Sequence, residues 1–359
     1  MKDFIYTGTQ SRVIFGSGTL AELPAEAERL GARRILVLTT PQQREQGDAL
    51  VELLDGRAVG SFDQATMHTP VEITNRAISV ASERDVDATV AIGGGSTIGL
   101  GKALSLHANL PQIAIPTTYA GSEMTPYLGQ SEGGRKTTLR DDRVRPKTVI
   151  YDVDLTLSLP VQMSIVSGLN AVAHAMEALY ARDGNPVISL MAEEGIRALG
   201  QALPALKHDS SSLEGRSDAL YGAWLCSTCL SAAGMSLHHK LCHAIGGAYN
   251  LPHAETHSII LPHAAAYNAS ATPDAMARIA RALGRTDADG AAALATLTSS
   301  IGAPSALRDF GMPEAGIREI ARLTVENPYW NPRPIDEVSI RALIARAWSG
   351  NPPDATAYT

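Results

Sequence analysis

The sequence contains little cysteine, few aromatic residues and a modest amount of charge. Its three cysteines in 359 residues are too few for the disulfide frameworks that stabilise small secreted domains. Hydrophobic residues make up 45% of the chain and charged residues 19%, which excludes an intrinsically disordered protein. The formal net charge of -7 argues against a protein that coats nucleic acid.

Long apolar runs and an export signal are also missing. The apolar stretches are interrupted by polar residues or proline before they reach the roughly 18 residues that a membrane span needs. The first residues, Met1–Phe4, do not show the basic-then-apolar pattern of a signal peptide. We therefore expect a cytoplasmic protein that has neither a membrane nor nucleic acid as a partner.

The first part of the chain alternates between strand-like and helix-like segments. Apolar runs at 35–38, 88–92, 113–115 and 148–151 predict buried strands. Continuous apolar strands that alternate with helices are typical of a parallel sheet covered on both faces. We expect a hairpin over 135–147. The intervening helices are predicted near 19–30, 42–54, 71–84 and 97–107.

The composition changes after Pro160, where alanine, leucine, methionine and histidine dominate. Helical spacing continues to the end of the chain, with prolines such as Pro252 and Pro262 expected at helix edges. We expect an α/β domain over 1–155 and an all-α domain over 156–359. The helices are predicted near 161–182, 186–206, 212–233, 236–248, 273–284, 288–301, 304–310, 313–325 and 335–348.

Three turns rich in glycine or hydroxyl groups follow strands or precede helices. The most prominent is Gly93–Ser96, which reads Gly-Gly-Gly-Ser between an apolar strand and a helix start. Glycine allows close backbone approach, and a helix N-terminus offers free N–H groups to an anion. The turn matches neither GxGxxG nor a Walker A loop. With Gly16–Gly18 and Pro116–Ser122 at other strand ends, it predicts a dinucleotide site.

Histidines cluster in the second half of the chain. His239 and His243 are spaced i,i+4, which places both on one helical face, and His253 follows ten residues later. His174 lies four residues after Asn170 on an earlier predicted helix. Imidazoles that converge from several helices bind a divalent metal or transfer protons. The spacing alone leaves both roles open.

These motifs occur together in one family. The spacing His239-x3-His243-x9-His253, the Gly93–Ser96 turn and Pro116–Ser122 are similar to the iron-containing (group III) alcohol dehydrogenases over nearly the whole chain. The resemblance implies a dehydroquinate synthase-like architecture: an N-terminal α/β domain with a parallel nucleotide-binding sheet, an all-α C-terminal domain, and a site in the cleft between them. It also implies NADH or NADPH as cofactor, at Gly93, Gly94, Gly95, Ser96, Thr117, Thr118, Thr39, Thr40, Lys102 and Ser122.

Two departures from that family narrow the resemblance. Asn170 stands where metal-binding members carry an aspartate, and Gly99 stands where they usually carry another. An amide offers a metal only a neutral oxygen. Both features resemble one branch, the maleylacetate reductases, which reduce the carbon–carbon double bond of maleylacetate to 3-oxoadipate in bacterial breakdown of aromatic and chloroaromatic compounds, generally without a metal.

That branch implies a set of catalytic residues in the helical half. The resemblance gives His243, His239, His253, Lys240, His174 and Asn170; if a metal were present, its ligands would be Asn170, His174, His239 and His253. Lys240, Arg135 and Lys136 are candidates to bind the carboxylates of a small dicarboxylate substrate.

Other interpretations remain open at this point. The chain could be a metal-dependent alcohol dehydrogenase in which Asn170 ligates weakly, a lyase of the dehydroquinate synthase type, or a non-catalytic binding module. No acidic residue follows the strand at 35–38, where Thr39 and Thr40 stand, so we expect that both NADH and NADPH are accepted. The family resemblance suggests a homodimer formed through N-terminal strands such as Phe4–Tyr6.

Overall fold

The computed structural model of the chain describes residues 4–8, 11–133 and 135–358, and leaves the side chains of Arg135 and Lys136 undescribed. Two compact units are present. One is Gly8–Leu159; the other begins at Pro160, runs through the rest of the chain and includes the described residues before Gly8. In the second unit, residues 4–7 form neither helix nor strand, so no strand exists over Phe4–Tyr6.

The first unit is built on a six-stranded sheet in which every neighbouring pair is parallel. The spatial order is β1-β8-β5-β4-β2-β3. The four predicted strands are confirmed, and the fold class with them. Two edge strands, β1 and β3, escaped prediction because they are only partly buried and lack a continuous apolar run. The strands are β1 (Arg12–Gly16), β2 (Ile35–Leu38), β3 (Ala58–Phe62), β4 (Ala88–Gly93), β5 (Gln112–Pro116) and β8 (Thr148–Asp152).

Helices cover both faces of this sheet, as the apolar strands require. Alternate residues of β2 point to opposite faces: Ile35 belongs to one buried cluster, and Leu36 belongs to another. Leu50 of α2 packs in the first cluster, and Leu100 of α4 packs in the second. Both faces of β2 are therefore buried. The helices of this unit are α1 (Leu23–Arg29), α2 (Arg44–Leu53), α3 (Val71–Glu83) and α4 (Gly95–Ala108).

The hairpin predicted over 135–147 is displaced in the structure. An antiparallel pair does form, but its strands are β6 (Tyr127–Glu132) and β7 (Arg135–Arg140). The first strand therefore precedes the predicted range. The segment after β7 turns at Asp141, which accepts hydrogen bonds from both the backbone and the guanidinium of Arg143. This local pairing of charges competes with strand extension.

The second unit consists of helices. Most predicted segments are helical, but the range 304–310 contains only a short 3-10 turn at Leu307–Phe310. Helix α9 (His253–Asn268) was expected only at its start, and Pro262 lies inside it rather than at its edge. No described helix is long and apolar enough to cross a membrane. The other helices are α5 (Val161–Tyr180), α6 (Pro186–His208), α7 (Leu213–Ala232), α8 (Leu237–Tyr249), α10 (Pro273–Ala282), α11 (Gly290–Ile301), α12 (Gly316–Glu326) and α13 (Glu337–Ser349).

His263 connects the middle of α9 to the end of the chain. Its Nδ1 lies 3.1 Å from the hydroxyl oxygen of Tyr358, and both residues are buried. Burial, assisted by the positive charge of Arg346, lowers the pKa of His263 to about 4. An unfolded histidine titrates near 6.5. Between about pH 6.5 and pH 4 the unfolded chain therefore binds a proton at this residue and the folded chain does not.

The contribution of His263 to stability should therefore be complete above pH 6.5 and should fall as the pH approaches 4. Between pH 7 and pH 5 we expect a loss of about 2 kcal/mol from this residue. Chemical denaturation of wild type and His263→Asn at both pH values measures it, because the variant cannot titrate there. An equal pH dependence in the two proteins would contradict the assignment.

Candidate active site and cofactor site

The glycine turn forms the junction between β4 and α4. Gly93 has a φ of 146°, a conformation that side chains disfavour. Gly94 is the N-cap of α4 and supplies no side-chain cap to its first N–H groups. A Cβ at Gly95 would meet no atom within 4 Å. The turn thus offers uncapped helix N–H groups beside open space, which fits the phosphates of a dinucleotide.

The loop after β5 lies against this turn. The backbone N–H of Thr117 donates to the carbonyl of Gly93 at 3.0 Å, and a Cβ at Gly94 would come within 3.2 Å of the Thr118 hydroxyl. Gln43, which the sequence did not indicate, donates from Nε2 to the Thr117 hydroxyl at 3.1 Å. The carboxyl ends of β4 and β5 therefore meet as the sequence predicts for an open sheet.

A groove of about 390 Å³ lies beside the glycine turn in the α/β unit. Its lining comes from the segments that follow β2 and β3, from α3 and from the start of α4. Thr40 and Ser96, both predicted cofactor residues, line it. The complete lining is Thr40, Pro41, Gln42, Gln64, Ala65, Thr66, Met67, Ile73, Arg76 and Ser96.

Two predicted cofactor residues, Thr39 and Lys102, are fully buried. The ammonium of Lys102 donates to the carbonyl oxygens of Ser122 at 2.5 Å, Thr125 at 2.9 Å and Tyr127 at 2.9 Å. Burial lowers the pKa of Lys102 to about 7, against the attraction of Glu123. In this geometry the lysine holds the loop that begins at Ser122.

The turn at Gly16–Gly18 has a different role from the one the sequence allowed. The carboxylate of Asp152, at the end of β8, accepts from the backbone N–H of Gly18 at 3.1 Å and of Leu20 at 2.8 Å. The Ser17 hydroxyl donates to Asp154 at 2.5 Å. Because side-chain carboxylates already occupy these donors, the turn does not offer an anion site.

The histidine cluster belongs to α5, α8 and α9. His174 of α5 stacks on His239 of α8, with ring centroids 5.3 Å apart. His243 follows at 6.0 Å from His239. His253 at the start of α9 lies 4.2 Å from His257, whose ring is 5.2 Å from that of His239. The structure thus brings the predicted histidines together through His257.

The carboxylate of Glu177 contacts both the histidine cluster and the start of α8. It is fully buried on α5, and its two oxygens accept from the backbone N–H groups of Ser236 and His238, each at 2.7 Å. The same carboxylate lies 2.6 Å from Nδ1 of His239. A carboxylate can only accept here, so Nδ1 of His239 carries a proton. Glu177 follows His174 by three residues, a spacing that could have indicated it.

A second group of buried side chains surrounds His238. Nε2 of His238 lies 3.0 Å from Nδ1 of His257 and 3.7 Å from the sulfur of Cys242. Burial and the neighbouring imidazoles lower the pKa values of His238 and His257 well below the ordinary value. Both rings are therefore neutral near pH 7. The sequence placed His238 beside the cluster but gave no reason to include His257.

His243 and Lys240 both meet Tyr329. Nδ1 of His243 lies 3.1 Å from the tyrosine hydroxyl, and the ammonium of Lys240 lies 5.6 Å from the centre of its ring. Both side chains are half-buried, in contrast to His174 and His239. Burial lowers the pKa of Lys240. Together with His253, which is also half-buried, these two residues are the more accessible polar groups of the cluster.

The positions that the resemblance gives as metal ligands, Asn170, His174, His239 and His253, contain no carboxylate in this chain. Asn170 contributes no negative charge to offset a dication. Within the described chain, one group of three histidine, cysteine or acidic side chains has its ligand atoms all within 4.8 Å of one another, and it is His238, Cys242 and His257. That trio does not contain His174, His239 or His253.

Two of the six basic residues in the stretch 133–147 pair with its two acidic residues. Arg143 pairs with Asp141 at 2.6 Å, and Arg145 pairs with Asp142 at 3.0 Å. The side chains of Arg135 and Lys136 lie outside the described part of the structure. Their predicted role toward substrate carboxylates therefore stays a prediction.

The open space at Gly95 allows a sharper test of the glycine turn than a change at Gly94. A side chain at Gly94 would also press on Thr118, whereas Gly95 has no neighbour there. We expect Gly95→Val to weaken NADH binding at least about tenfold by obstructing the helix N-terminus, and Gly95→Ala to weaken it less. Titration of each variant with NADH measures this. Unchanged affinity with an unchanged unfolding midpoint would mean that the turn only connects β4 to α4.

Comparison with known proteins assigns the chain to a family. Residues 10–153 match the family described as iron-containing alcohol dehydrogenase. Residues 164–348 match the C-terminal part of the Fe-containing alcohol dehydrogenase family. Together the two matches account for most of both structural units.

Relatives of known name narrow the position within that family. A maleylacetate reductase from Sphingobium indicum is 54% identical over 350 residues, covering 98% of this chain and 99% of that relative. The crystal structure of maleylacetate reductase from Rhizobium sp. strain MTP-10005 is 50% identical with a TM-score of 0.93, covering 98% of this chain and 100% of that one. That of maleylacetate reductase from Agrobacterium tumefaciens is 49% identical with a TM-score of 0.94, with coverage of 98% and 100%. The chain therefore belongs to the iron-containing alcohol dehydrogenase family, in the branch of the maleylacetate reductases.

Proposed function

We propose that the protein reduces the carbon–carbon double bond of maleylacetate to 3-oxoadipate with NADH or NADPH, without a metal ion, in the bacterial breakdown of aromatic and chloroaromatic compounds. The observation that carries the proposal is the 54% identity to a maleylacetate reductase over 98% of the chain. The neutral Asn170 and the arrangement of the histidines support the metal-free form of the reaction.

The two parts of the chain take different tasks in this proposal. Residues 1–155 bind the dinucleotide, and residues 156–359 bind the substrate and carry out proton transfer. The Gly93–Ser96 turn holds the phosphates through backbone N–H groups, with Thr40, Thr117 and Thr118 supplying hydroxyls nearby. Thr39, Lys102 and Ser122 support these loops from within. When bound, the nicotinamide supplies a hydride.

The substrate's electronic structure explains why a metal is dispensable. In maleylacetate the double bond is conjugated with a ketone, so hydride addition at the carbon β to the ketone places negative charge on an enolate oxygen. An aldehyde or simple ketone would instead become an alkoxide, which a metal stabilises as a Lewis acid. Hydrogen-bond donors from imidazole and ammonium groups can stabilise an enolate. His253 and Lys240 supply such donors. His239 donates from Nε2 only when its ring is protonated on both nitrogens, because its Nδ1 proton faces Glu177.

His243 is the proposed proton donor to the carbon next to the ketone. It is half-buried, whereas His174 and His239 are almost fully buried, and its Nδ1 lies 3.1 Å from the Tyr329 hydroxyl. An imidazole titrates close to neutral pH and is suited to general acid catalysis.

Further proposals concern location and assembly. We expect a cytoplasmic homodimer with no nucleic acid and no membrane as partner. Near the N-terminus Phe4, Ile5 and Tyr6 are 44%, 92% and 40% exposed, which supports a contact with a second copy. A mass measurement in solution decides the oligomeric state.

The direct test follows NADH and NADPH oxidation with maleylacetate, with and without a chelator. We expect activity in both cases, and loss of 10²–10⁴-fold in kcat for His243→Ala, the usual range for a general acid. His208→Ala, on the exposed end of α6, is the control and should leave kcat unchanged. NADH binding should persist in both variants.

Three results would contradict parts of this account. Loss of activity on chelation, together with a stoichiometric metal in the purified enzyme, would reassign Asn170, His174, His239 and His253 as ligands. No consumption of either nucleotide would favour a lyase of the dehydroquinate synthase type. Activity confined to alcohols or simple carbonyls would indicate an alcohol dehydrogenase.

Glu177 is the proposed positioning residue for His239. Glutamine at this position would present an NH₂ group toward one or more of the three N–H donors that the carboxylate now receives. We expect Glu177→Gln to lower kcat at least about tenfold while the Kd for NADH stays the same. The measurement pairs steady-state kinetics with nucleotide titration.

The control for this change is Glu193→Gln. Glu193 pairs with Arg278 and Arg281 on another part of the helical unit. The Glu193→Gln variant should have a lower unfolding midpoint than wild type and the same kcat. If Glu177→Gln lowers the unfolding midpoint but lowers kcat no more than the control does, Glu177 has only a structural role.

A further inference from the structure

The groove beside the glycine turn lies at the topological switch point of the sheet. Strand β2 has β3 on one side and β4 on the other, so the chain runs outward from β2 to β3 and then returns past β2 to β4. Ligands of open α/β sheets bind outside the carboxyl ends of strands at such a point. Thr40 follows β2 and Ser96 opens α4, and both line the groove. The groove is therefore continuous with the turn to which the phosphates are assigned.

The position after β2 decides between the two nicotinamide cofactors in folds of this kind. An acidic residue there holds the 2′-hydroxyl of NADH and repels the 2′-phosphate of NADPH, whereas a nearby arginine accommodates the phosphate. Here Thr40 occupies the position. The groove lining contains no acidic residue among its described members, and its single charged residue is Arg76.

Arg76 is available for an anion. It lies in the first half of α3 (Val71–Glu83) and is exposed. Within the part of the chain that the structure describes, no hydrogen bond or ion pair holds its guanidinium. Asp63 directly precedes the groove segment 64–67. Its carboxylate lies 3.7 Å from the guanidinium of Arg44 and so pairs with that residue. A guanidinium binds phosphate oxygens in pairs, with directed hydrogen bonds.

We propose that Arg76 recognises the 2′-phosphate of NADPH and is the residue that allows this enzyme to use NADPH as well as NADH. The inference rests on the proposed function, because it needs the dinucleotide at the Gly93–Ser96 turn. It adds a residue that determines cofactor choice. Thr40 contributes by leaving the adjacent position uncharged.

Direct binding measurements test this without maleylacetate. NADPH, NADH, 2′-AMP and 5′-AMP are titrated into wild type, Arg76→Gln and Arg33→Gln. Arg33 is an exposed arginine of the same unit that does not line the groove. We expect Arg76→Gln to lower the affinity ratio of NADPH to NADH at least about tenfold, and to weaken 2′-AMP but not 5′-AMP. Arg33→Gln should leave the ratio unchanged, and Arg76→Lys should recover part of it.

Three results would overturn the inference. Equal losses for NADPH and NADH in Arg76→Gln would place the guanidinium on the pyrophosphate or make it structural. Unchanged affinities for both dinucleotides would mean that Arg76 does not contact the cofactor. Both leave the proposed reductase function intact, since NADH still binds. Failure of both dinucleotides to bind wild type would instead remove the proposed function along with the inference.

Discussion

A single buried carboxylate, that of Glu177, organises the histidine cluster of the helical unit. It accepts hydrogen bonds from two backbone N–H groups at the start of α8 and from the ring of His239. A buried charge is costly unless it is satisfied in this way. The same interaction therefore connects α5 to the start of α8 and fixes which nitrogen of His239 carries a proton. The orientation of His239 relative to His174 and His243 follows from it.

The exchange of an acidic ligand for Asn170 is consistent with this arrangement. Asn170 offers no negative charge to offset that of a dication. The reduction of an enone demands only that charge spread into an enolate be stabilised, for which hydrogen-bond donors are adequate. The asparagine at this position and the chemistry of an enone thus both support the proposed metal-free reaction.

The sequence predicted the sheet core and the glycine turn because both are encoded locally. Apolar runs such as 88–92 with flanking turn residues favour buried strands, and the glycines of Gly93–Ser96 favour a tight junction between a strand and a helix. It missed β1 and β3 because edge strands are held by pairing with a neighbour, not by their own pattern. It placed Pro262 at a helix edge because local propensity disfavours proline inside a helix, although burial of α9 on its neighbours overrides that preference.

The site was harder to predict for the same reason. Histidine spacing indicated His239 and His243, but Glu177 and Gln43 act through contacts with residues 62 and 74 positions away. No periodicity records such a contact. Lys102 follows the family pattern, yet its ammonium serves the loop at Ser122. The spacing of a motif indicates which residues lie together, whereas burial decides which atoms each one can reach.

The destination of the hydride tests the central claim most directly. With NADH deuterated at the transferred position, reduction of maleylacetate in ordinary water should give 3-oxoadipate with deuterium on the methylene carbon β to the ketone. The neighbouring carbon should carry no deuterium, because it keeps its own hydrogen and gains one from solvent in the proton-transfer step. Nuclear magnetic resonance of the product distinguishes the two carbons. A hydroxy acid with deuterium on the former carbonyl carbon would contradict the account, because it would mean that the enzyme reduces the ketone and not the double bond.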